Sequence, residues 1–115
     1  MTTLYGINNC DTIKKTRALL TELGVDYVFH DYKKLGCDEA LARKFLEHFD
    51  YQELINTRGT TWRKLPESIK QSLNKASAVA LMCEQTSIIK RPLIESNGAW
   101  LLGFDAEKIC ELLQS

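Results

Sequence analysis

Residues 4–16, LYGINNCDTIKKT, decide the fold of this chain. The first letters predict a short buried strand over residues 3–7, and the letters after Cys10 predict a helix over residues 11–23 because apolar side chains recur every three or four positions. Gly24 fits the C-terminal cap of that helix. The thiol of Cys10 therefore lies between a strand and the first turn of a helix.

The sequence on either side of the middle of the chain predicts the rest of a sheet. Residues 25–32 are rich in β-branched and aromatic side chains and predict a second strand, which a strand–helix–strand connection places parallel to the first. Near the other end, Asn97-Gly98 is a strong two-residue hairpin signal between strands at residues 93–95 and 99–102. Asp105 is suited to cap a last helix.

The middle of the chain, about residues 38–85, is predicted to be helical. Its segments are, in chain order, a loop over residues 33–37, a helix over 39–49 capped by Asp38, a possible helical turn at 51–55, a loop over 57–61, a helix from Pro66 to about 75, a helix over 78–84 and an extended stretch over 88–92. The order β-α-β, helical block, β-β-α is the thioredoxin layout. We therefore predict an α/β (α+β) thioredoxin-like domain over residues 1–115, with a mixed four-stranded sheet and a helical insertion.

Composition excludes several classes of function. The chain has 115 residues, 15 basic and 15 acidic, so its formal net charge is zero. A balanced charge argues against direct nucleic-acid binding through a large basic surface. The sequence has no long apolar run and no secretory signal pattern, which predicts a cytoplasmic protein without a membrane partner. Four widely spaced cysteines predict free thiols rather than disulfides or a zinc site. We expect a monomer with no metal and no tightly bound cofactor.

Cys10 is the residue best placed for chemistry. A helix N-terminus carries partial positive charge and free N–H groups, and both favour a thiolate. Lys14 and Lys15 lie one turn onward and add positive field, whereas Asp11 opposes it, so the sequence predicts a moderately lowered pKa and a nucleophilic sulfur. The competing interpretation is a small apolar residue that caps the core.

Position 13 limits the redox chemistry. A dithiol site would have a second cysteine where this chain has Ile13, so a redox cycle needs a distant cysteine or an external thiol such as glutathione. Cys37, in a predicted loop, is the internal candidate. Cys83 and Cys110 are predicted core residues, since free cysteines are among the most buried residue types.

Arg91-Pro92 is the second candidate element. A proline just before a strand and opposite the thiol occupies the place where thioredoxin folds hold a cis-proline, and Arg91 could direct its guanidinium at an anion or carboxylate. The alternative is an exposed arginine before an ordinary trans proline. Arg58 is left open as a second cation near the thiol, whereas Arg63 is expected at the surface. His30 and His48 are expected to be structural.

Five segments of this chain together resemble the ArsC/Spx family, and most closely its YffB-type, ArsC-like branch. The segments are YGINNCDTIKKT at residues 5–16, HDY at 30–32, RGTTWRKL at 58–65, IIKRPL at 88–93 and GF at 103–104. The resemblance implies a thioredoxin-like fold with a helical insertion and a single nucleophilic cysteine at Cys10. It also implies a glutathione-linked thiol reductase, with glutathione or a small oxidised substrate as ligand and glutaredoxin as a further partner.

The resemblance also implies two alternative functions. Arsenate reductases of this family hold the oxyanion with three arginines, of which only Arg91 is matched, the other two positions falling on Asn56 and Trp100. Spx regulators bind RNA polymerase and carry a Cys-x-x-Cys switch, which Ile13 removes. We predict Cys10 as catalytic; Lys14, Lys15 and Arg91 as thiolate- or anion-stabilising residues; and Asn9, Thr12, Arg58 and Pro92 as substrate-positioning residues.

Overall fold

A computed structural model describes residues 1–114 of the chain. Among them, four strands form one mixed sheet in the order β2-β1-β3-β4. The strands are β1 (Thr2–Gly6), β2 (Tyr27–Asp31), β3 (Leu93–Ser96) and β4 (Ala99–Leu102). Strand β1 pairs in parallel with β2 and antiparallel with β3, and β4 is antiparallel to β3. This is the thioredoxin-like arrangement that the sequence predicted.

Helices account for most of the remaining chain. They are α1 (Asp11–Glu22), α2 (Tyr32–Leu35), α3 (Glu39–Leu46), α4 (Tyr51–Leu54), α5 (Thr60–Arg63), α6 (Glu67–Gln71), α7 (Lys75–Glu84) and α8 (Ala106–Gln114), with a 3₁₀ turn at Thr86–Ile88. The chain divides into two compact units. The sheet unit comprises Met1–Leu35 and the chain from Arg91 onward, and the helical unit is Gly36–Lys90. That the chain is a single domain stays a prediction.

Five fully buried side chains form the core of the sheet unit: Leu4, Ile13, Leu20, Ile94 and Ile109. They come from the two central strands and from both long helices of this unit, so one cluster holds α1 and α8 against the same face of the sheet. Burying an aliphatic side chain of this size contributes roughly 1.5–3 kcal/mol. Cys10 packs against this cluster and is therefore held by it.

Local signals in the sequence explain the two sharp turns of the sheet unit. Helix α1 ends where the N–H of Val25 donates to the carbonyl of Leu20 at 3.0 Å, with Gly24 at a φ of 71°. A positive φ costs glycine little, which is why it ends so many helices. At the hairpin, Asn97 and Gly98 have φ values of 51° and 84°, which two-residue hairpins require. Both predictions are confirmed.

In the helical unit the predicted Asp38 cap is present, and α7 starts at Lys75, earlier than predicted, with a cap that was not predicted. The Asp38 carboxylate accepts the N–H of Leu41 at 2.8 Å at the start of α3. Asn74 and Ser77 cap α7 reciprocally, each side chain accepting the other residue's N–H at 2.9 Å. Helix α3 packs against α7, and Phe45 and Met82 are fully buried.

Several predicted boundaries are wrong in the short elements. The strand expected over residues 25–32 is only β2, and the loop expected over 33–37 begins with α2, where the Asp31 carboxylate accepts the N–H of Lys33 at 3.0 Å and orders the first turn. The helix expected from Pro66 to about 75 ends at Gln71, because Asn74 starts a new capped helix. The loop expected over 57–61 runs into α5, and Ile88 lies in the 3₁₀ turn rather than in extended chain.

Candidate active site

The register of the sheet brings distant segments to one edge. Gly6, at the end of β1, lies opposite Asp31 at the end of the parallel strand β2. Tyr5 lies opposite Leu93, the first residue of the antiparallel strand β3. The chain leaving β1 toward Cys10 and the chain entering β3 from Arg91 therefore meet at the same edge of the sheet.

Cys10 is the N-cap residue of helix α1, directly before its first residue Asp11. Its backbone is extended, with φ −113° and ψ 130°, and its carbonyl accepts the N–H of Lys14 at 3.0 Å. The side chain is partly buried. Sulfur at this position faces the unsatisfied N–H groups of the first helical turn, as the sequence predicted.

Opposing influences act on the pKa of the Cys10 thiol. Burial raises it, since a thiolate loses solvation. A hydrogen bond from the Arg91 side chain, the N–H groups of Ile13 and Thr12, and the positive charge of Arg91 lower it. The lowering influences prevail, so the pKa of Cys10 lies below its ordinary value. The direction matches the prediction, and Arg91 supplies the strongest of the lowering influences.

The Arg91–Pro92 peptide bond is cis. Pro92 is buried, and its carbonyl accepts the N–H of Gly103 at 2.8 Å, which ties the entry of β3 to the end of β4. Arg91 is half-buried and reaches the sulfur of Cys10. The layout argument for a cis-proline next to the thiol is therefore confirmed, and the exposed-arginine alternative is wrong.

The other residues predicted for the site are less closely associated with the Cys10 sulfur than Arg91 is. Lys14 and Lys15 are exposed on the first turns of α1, and Asn9 is exposed in the turn before Cys10. The backbone N–H of Thr12 helps to lower the pKa of Cys10, and the carbonyl of Thr12 accepts the hydroxyl of Thr16 at 2.8 Å. The roles proposed for Lys14, Lys15 and Asn9 stay predictions.

Arg58 belongs to the helical unit and is exposed. Its N–H donates to the side-chain oxygen of Asn56 at 3.1 Å. Its assignment to the thiol site stays a prediction. Trp100, the other position that the resemblance matches to an arginine, stacks on Tyr5 at 6.2 Å between ring centroids. Neither Asn56 nor Trp100 offers a positive charge to an oxyanion.

The remaining cysteines behave differently from the prediction. Cys37, expected in an accessible loop, is 5% exposed, and burial together with Cys83 and Asp38 raises its pKa to about 12. Cys83 and Cys110, expected in the core, are both partly exposed. The pKa of Cys83 is raised by burial and by Glu39, Asp38 and Glu84. Cys83 and Cys110 were assigned to the core because their neighbours in the sequence are apolar. The sequence alone does not show which faces of α7 and α8 are buried.

The two histidines lie in different surroundings, and the structural roles expected for them stay predictions. The ring of His30 lies 5.2 Å from that of Tyr5 and 5.6 Å from that of Tyr32, in a row of aromatic side chains across the sheet. His48 is exposed on the segment that follows α3. Within residues 1–114, the structure contains no cluster of His, Cys, Asp and Glu side chains fit to hold a metal ion.

Sequence reasoning missed one cluster at this edge of the sheet. Arg17, on α1, donates from Nε to the hydroxyl of Tyr27 at 2.9 Å and from Nη1 to the side-chain oxygen of Asn8 at 3.1 Å. Asp31 ends the neighbouring strand and is buried. The signal that could have revealed the cluster is a pair of polar residues at the ends of two parallel strands: Asn8, two residues beyond β1, and Asp31, the last residue of β2.

Comparison with known proteins gives the family. The model of the ArsC family matches residues 5–112. The chain belongs to the ArsC family. It is 43% identical to the solved structure of a YffB protein, with a TM-score of 0.94 over 98% of this chain and 99% of that one. It is also 43% identical to an arsenate reductase (ArsC) related protein from Brucella melitensis, with a TM-score of 0.79 over 99% and 95% of the two chains.

This member of the ArsC family is also related, at lower sequence identity, to a transcriptional regulator. It is 25% identical over 111 residues to the global transcriptional regulator Spx of Streptococcus pyogenes, a match that spans 95% of this chain and 82% of the regulator. The recognised resemblance to the ArsC/Spx family is thus confirmed. None of the helices in the described part of the chain has the length and apolar character needed to cross a bilayer.

Proposed function

We propose that this protein is a thiol–disulfide oxidoreductase in which Cys10 is the single nucleophile and glutathione is the resolving thiol. The observation that carries the proposal is the position of partly buried Cys10 at the N-cap of α1 beside Arg91, whose side chain lowers the pKa of the thiol together with two backbone N–H groups. Enzymes that use a thiolate place it in such an electropositive, partly accessible setting.

The reaction balances as two thiol–disulfide exchanges. The Cys10 thiolate attacks one sulfur of a disulfide substrate, forms a mixed disulfide and releases the other half as a thiolate. Glutathione thiolate then attacks the substrate sulfur of the mixed disulfide and releases Cys10 as a thiolate. The substrate leaves as a glutathione mixed disulfide, which a second glutathione reduces. Arg91 stabilises Cys10 as attacking group and again as leaving group.

The described thiols favour an external resolving partner. Ile13 occupies the position where a local dithiol would have its second cysteine. Cys37, the internal candidate, is buried with a pKa of about 12, so its thiolate is scarce at neutral pH. The pKa of Cys83 is also raised. Glutathione is a small thiol supplied from solution, so neither burial in the protein nor a pKa raised by the protein limits its reaction.

Mass spectrometry after brief exposure to oxidised glutathione tests the proposal. We expect one glutathione adduct, on Cys10, that reduced glutathione removes, and no adduct in a Cys10→Ser variant. The variant Cys110→Ser is the matched control, because Cys110 is also a partly exposed cysteine, and it should keep the adduct. An adduct that survives in Cys10→Ser, or none in the unchanged protein, would remove the nucleophile from the proposal.

The relatives of this chain suggest two other functions, arsenate reduction and transcriptional regulation. Arsenate reduction is favoured by the relationship to an arsenate reductase related protein, and its signature is arsenate-dependent oxidation of glutathione with glutaredoxin. A regulatory role is favoured by the relationship to Spx, and its signature is retention of RNA polymerase by this protein and equally by Cys10→Ser. Either signature without disulfide exchange at Cys10 would replace the proposal.

A further inference from the structure

A cavity of about 300 Å³ lies beside the turn that precedes Cys10. It is lined by Asn8, Arg17, Phe29, Asp31, Lys34 and Leu35, all of them in the sheet unit. It stands where the parallel strands β1 and β2 end, and its volume is at the lower end of the range for small-molecule sites. The thiol chemistry proposed above leaves it unused.

Arg17 is held rigidly in this cavity. Its guanidinium donates to Tyr27 and Asn8, and its Cζ lies 4.6 Å from the centre of the Phe29 ring. Among residues 1–114 these donations involve Nε and Nη1, so the hydrogens on Nη2 have no protein acceptor there. A guanidinium whose position is already fixed loses little freedom when it binds an anion.

Asp31 supplies the opposite charge. It is 8% exposed, and its Oδ1 accepts the N–H of Lys33 at 3.0 Å. Its Oδ2 receives no hydrogen bond from the part of the chain that the structure describes. Asp31 lines the cavity, so a cationic or N–H-bearing ligand bound there can pair with its carboxylate. Lys34, exposed on α2, adds a second cation to the lining.

The cavity therefore presents both signs of charge within a small volume. A simple carboxylate would be repelled by Asp31, and a simple amine would be repelled by Arg17 and Lys34. An α-amino-acid group carries an ammonium and a carboxylate on one carbon atom and satisfies both. We propose that this cavity binds the γ-glutamyl end of glutathione, with the carboxylate toward Arg17 and Lys34 and the ammonium toward Asp31; this rests on the proposed function.

The position of the cavity suits a thiol bound in this way. Asn8 is two residues from Cys10, so their Cα atoms are at most about 7 Å apart. The sulfur of glutathione is separated from its γ-glutamyl α-carbon by a flexible link of several bonds. A molecule anchored in the cavity can thus present its sulfur toward Cys10.

Binding of S-methylglutathione, which cannot exchange disulfides, tests the cavity without the chemistry. Calorimetry or NMR titration should show saturable binding that Asp31→Asn and Lys34→Gln each weaken about fivefold or more. Asn at position 31 keeps an acceptor for Lys33, and Lys34 is exposed, so both variants should fold. Lys33→Gln is the matched control and should bind normally. Binding that is absent, or equal in all four proteins, would overturn the proposal.

Reduction of the Cys10 mixed disulfide separates this inference from the proposed function. γ-Glutamylcysteine should react nearly as fast as glutathione, and cysteinylglycine, which lacks the γ-glutamyl group, should react about tenfold more slowly. Equal rates for the three thiols would refute the cavity assignment and leave the thiol reaction standing. Charge-dependent binding of S-methylglutathione without any exchange at Cys10 would refute the thiol reaction and leave the cavity assignment standing.

Discussion

At the residue scale, the chemistry depends on one arginine that the chain brings to Cys10 from far along the sequence. The helix N-terminus could be predicted from residues 4–16, and it contributes through the N–H groups of Thr12 and Ile13. The sequence also suggested that Arg91 faces the thiol, but only by analogy of layout. The register of β1 with β3 establishes that proximity, because it sets Leu93 opposite Tyr5.

Replacing Arg91 should slow the reaction of Cys10. We expect Arg91→Ala to reduce the rate of glutathionylation by oxidised glutathione roughly tenfold, because a partly buried hydrogen bond to the thiolate is lost. Arg63→Ala is the control, since Arg63 is exposed in the helical unit, and it should react at the unchanged rate. Equal rates in the two variants, measured by mass spectrometry over time, would place Arg91 outside the reaction.

Cys37 should be nearly inert in the folded protein. With a pKa of about 12, roughly one molecule in ten thousand carries a Cys37 thiolate at pH 8. Alkylation by iodoacetamide, followed peptide by peptide, should label Cys10 long before Cys37, and unfolding in urea should remove the difference. Labelling of Cys37 at the rate of Cys10 in native protein would contradict this burial and reopen it as a resolving thiol.

At the element scale, the sequence predicted the elements with strong local signals and missed those without them. Helix α1, with its apolar spacing and glycine cap, and the Asn97-Gly98 hairpin are confirmed. The short helices α2 and α5 were expected as loops. A helix of one turn buries too little to leave an apolar period, and its first turn depends on single contacts such as that of Asp31 with the N–H of Lys33.

The contact between β1 and α1 should be sensitive to one added carbon. A Cβ on Gly6 would stand 2.9 Å from Cγ1 of Ile13, closer still to Cδ1, and Ile13 is fully buried. We expect Gly6→Ala to cost about 1–3 kcal/mol of unfolding free energy in urea. It should also raise the pKa of Cys10, because it would displace Ile13, whose backbone N–H helps to lower that pKa.

A second substitution tests this cause. Ile13→Val removes Cδ1, so the double variant Gly6→Ala with Ile13→Val should lose less free energy than the two single variants added together. Strict additivity would show that the Gly6→Ala loss arises elsewhere.

At the scale of the whole molecule, the register of the sheet brings the residues of the site together. The ArsC family to which the chain belongs includes proteins related to arsenate reductases. The sheet unit contains Cys10, Arg91 and the cavity that Arg17 and Asp31 line. Much of this architecture followed from the order of elements in the sequence. The cavity did not, because it depends on which polar residues two parallel strands bring together at their ends.

Arsenate should be a poor substrate. The resemblance to the arsenate reductases implies three oxyanion-binding arginines, of which this chain matches Arg91 and has Asn56 and Trp100 at the other two positions. An oxyanion held by one guanidinium lacks most of the charge that such sites supply. With glutathione, glutaredoxin, glutathione reductase and NADPH, we expect that adding arsenate with this protein does not increase the rate of NADPH oxidation. A saturable, Cys10-dependent response to arsenate would show otherwise.

The pH dependence of Cys10 alkylation tests the central claim most directly. Iodoacetamide reacts with the thiolate, so its rate rises with pH to a plateau whose midpoint is the pKa of Cys10. We predict a midpoint below that of free cysteine, and a higher midpoint in Arg91→Ala. A midpoint at or above that of free cysteine in the unchanged protein would contradict the account.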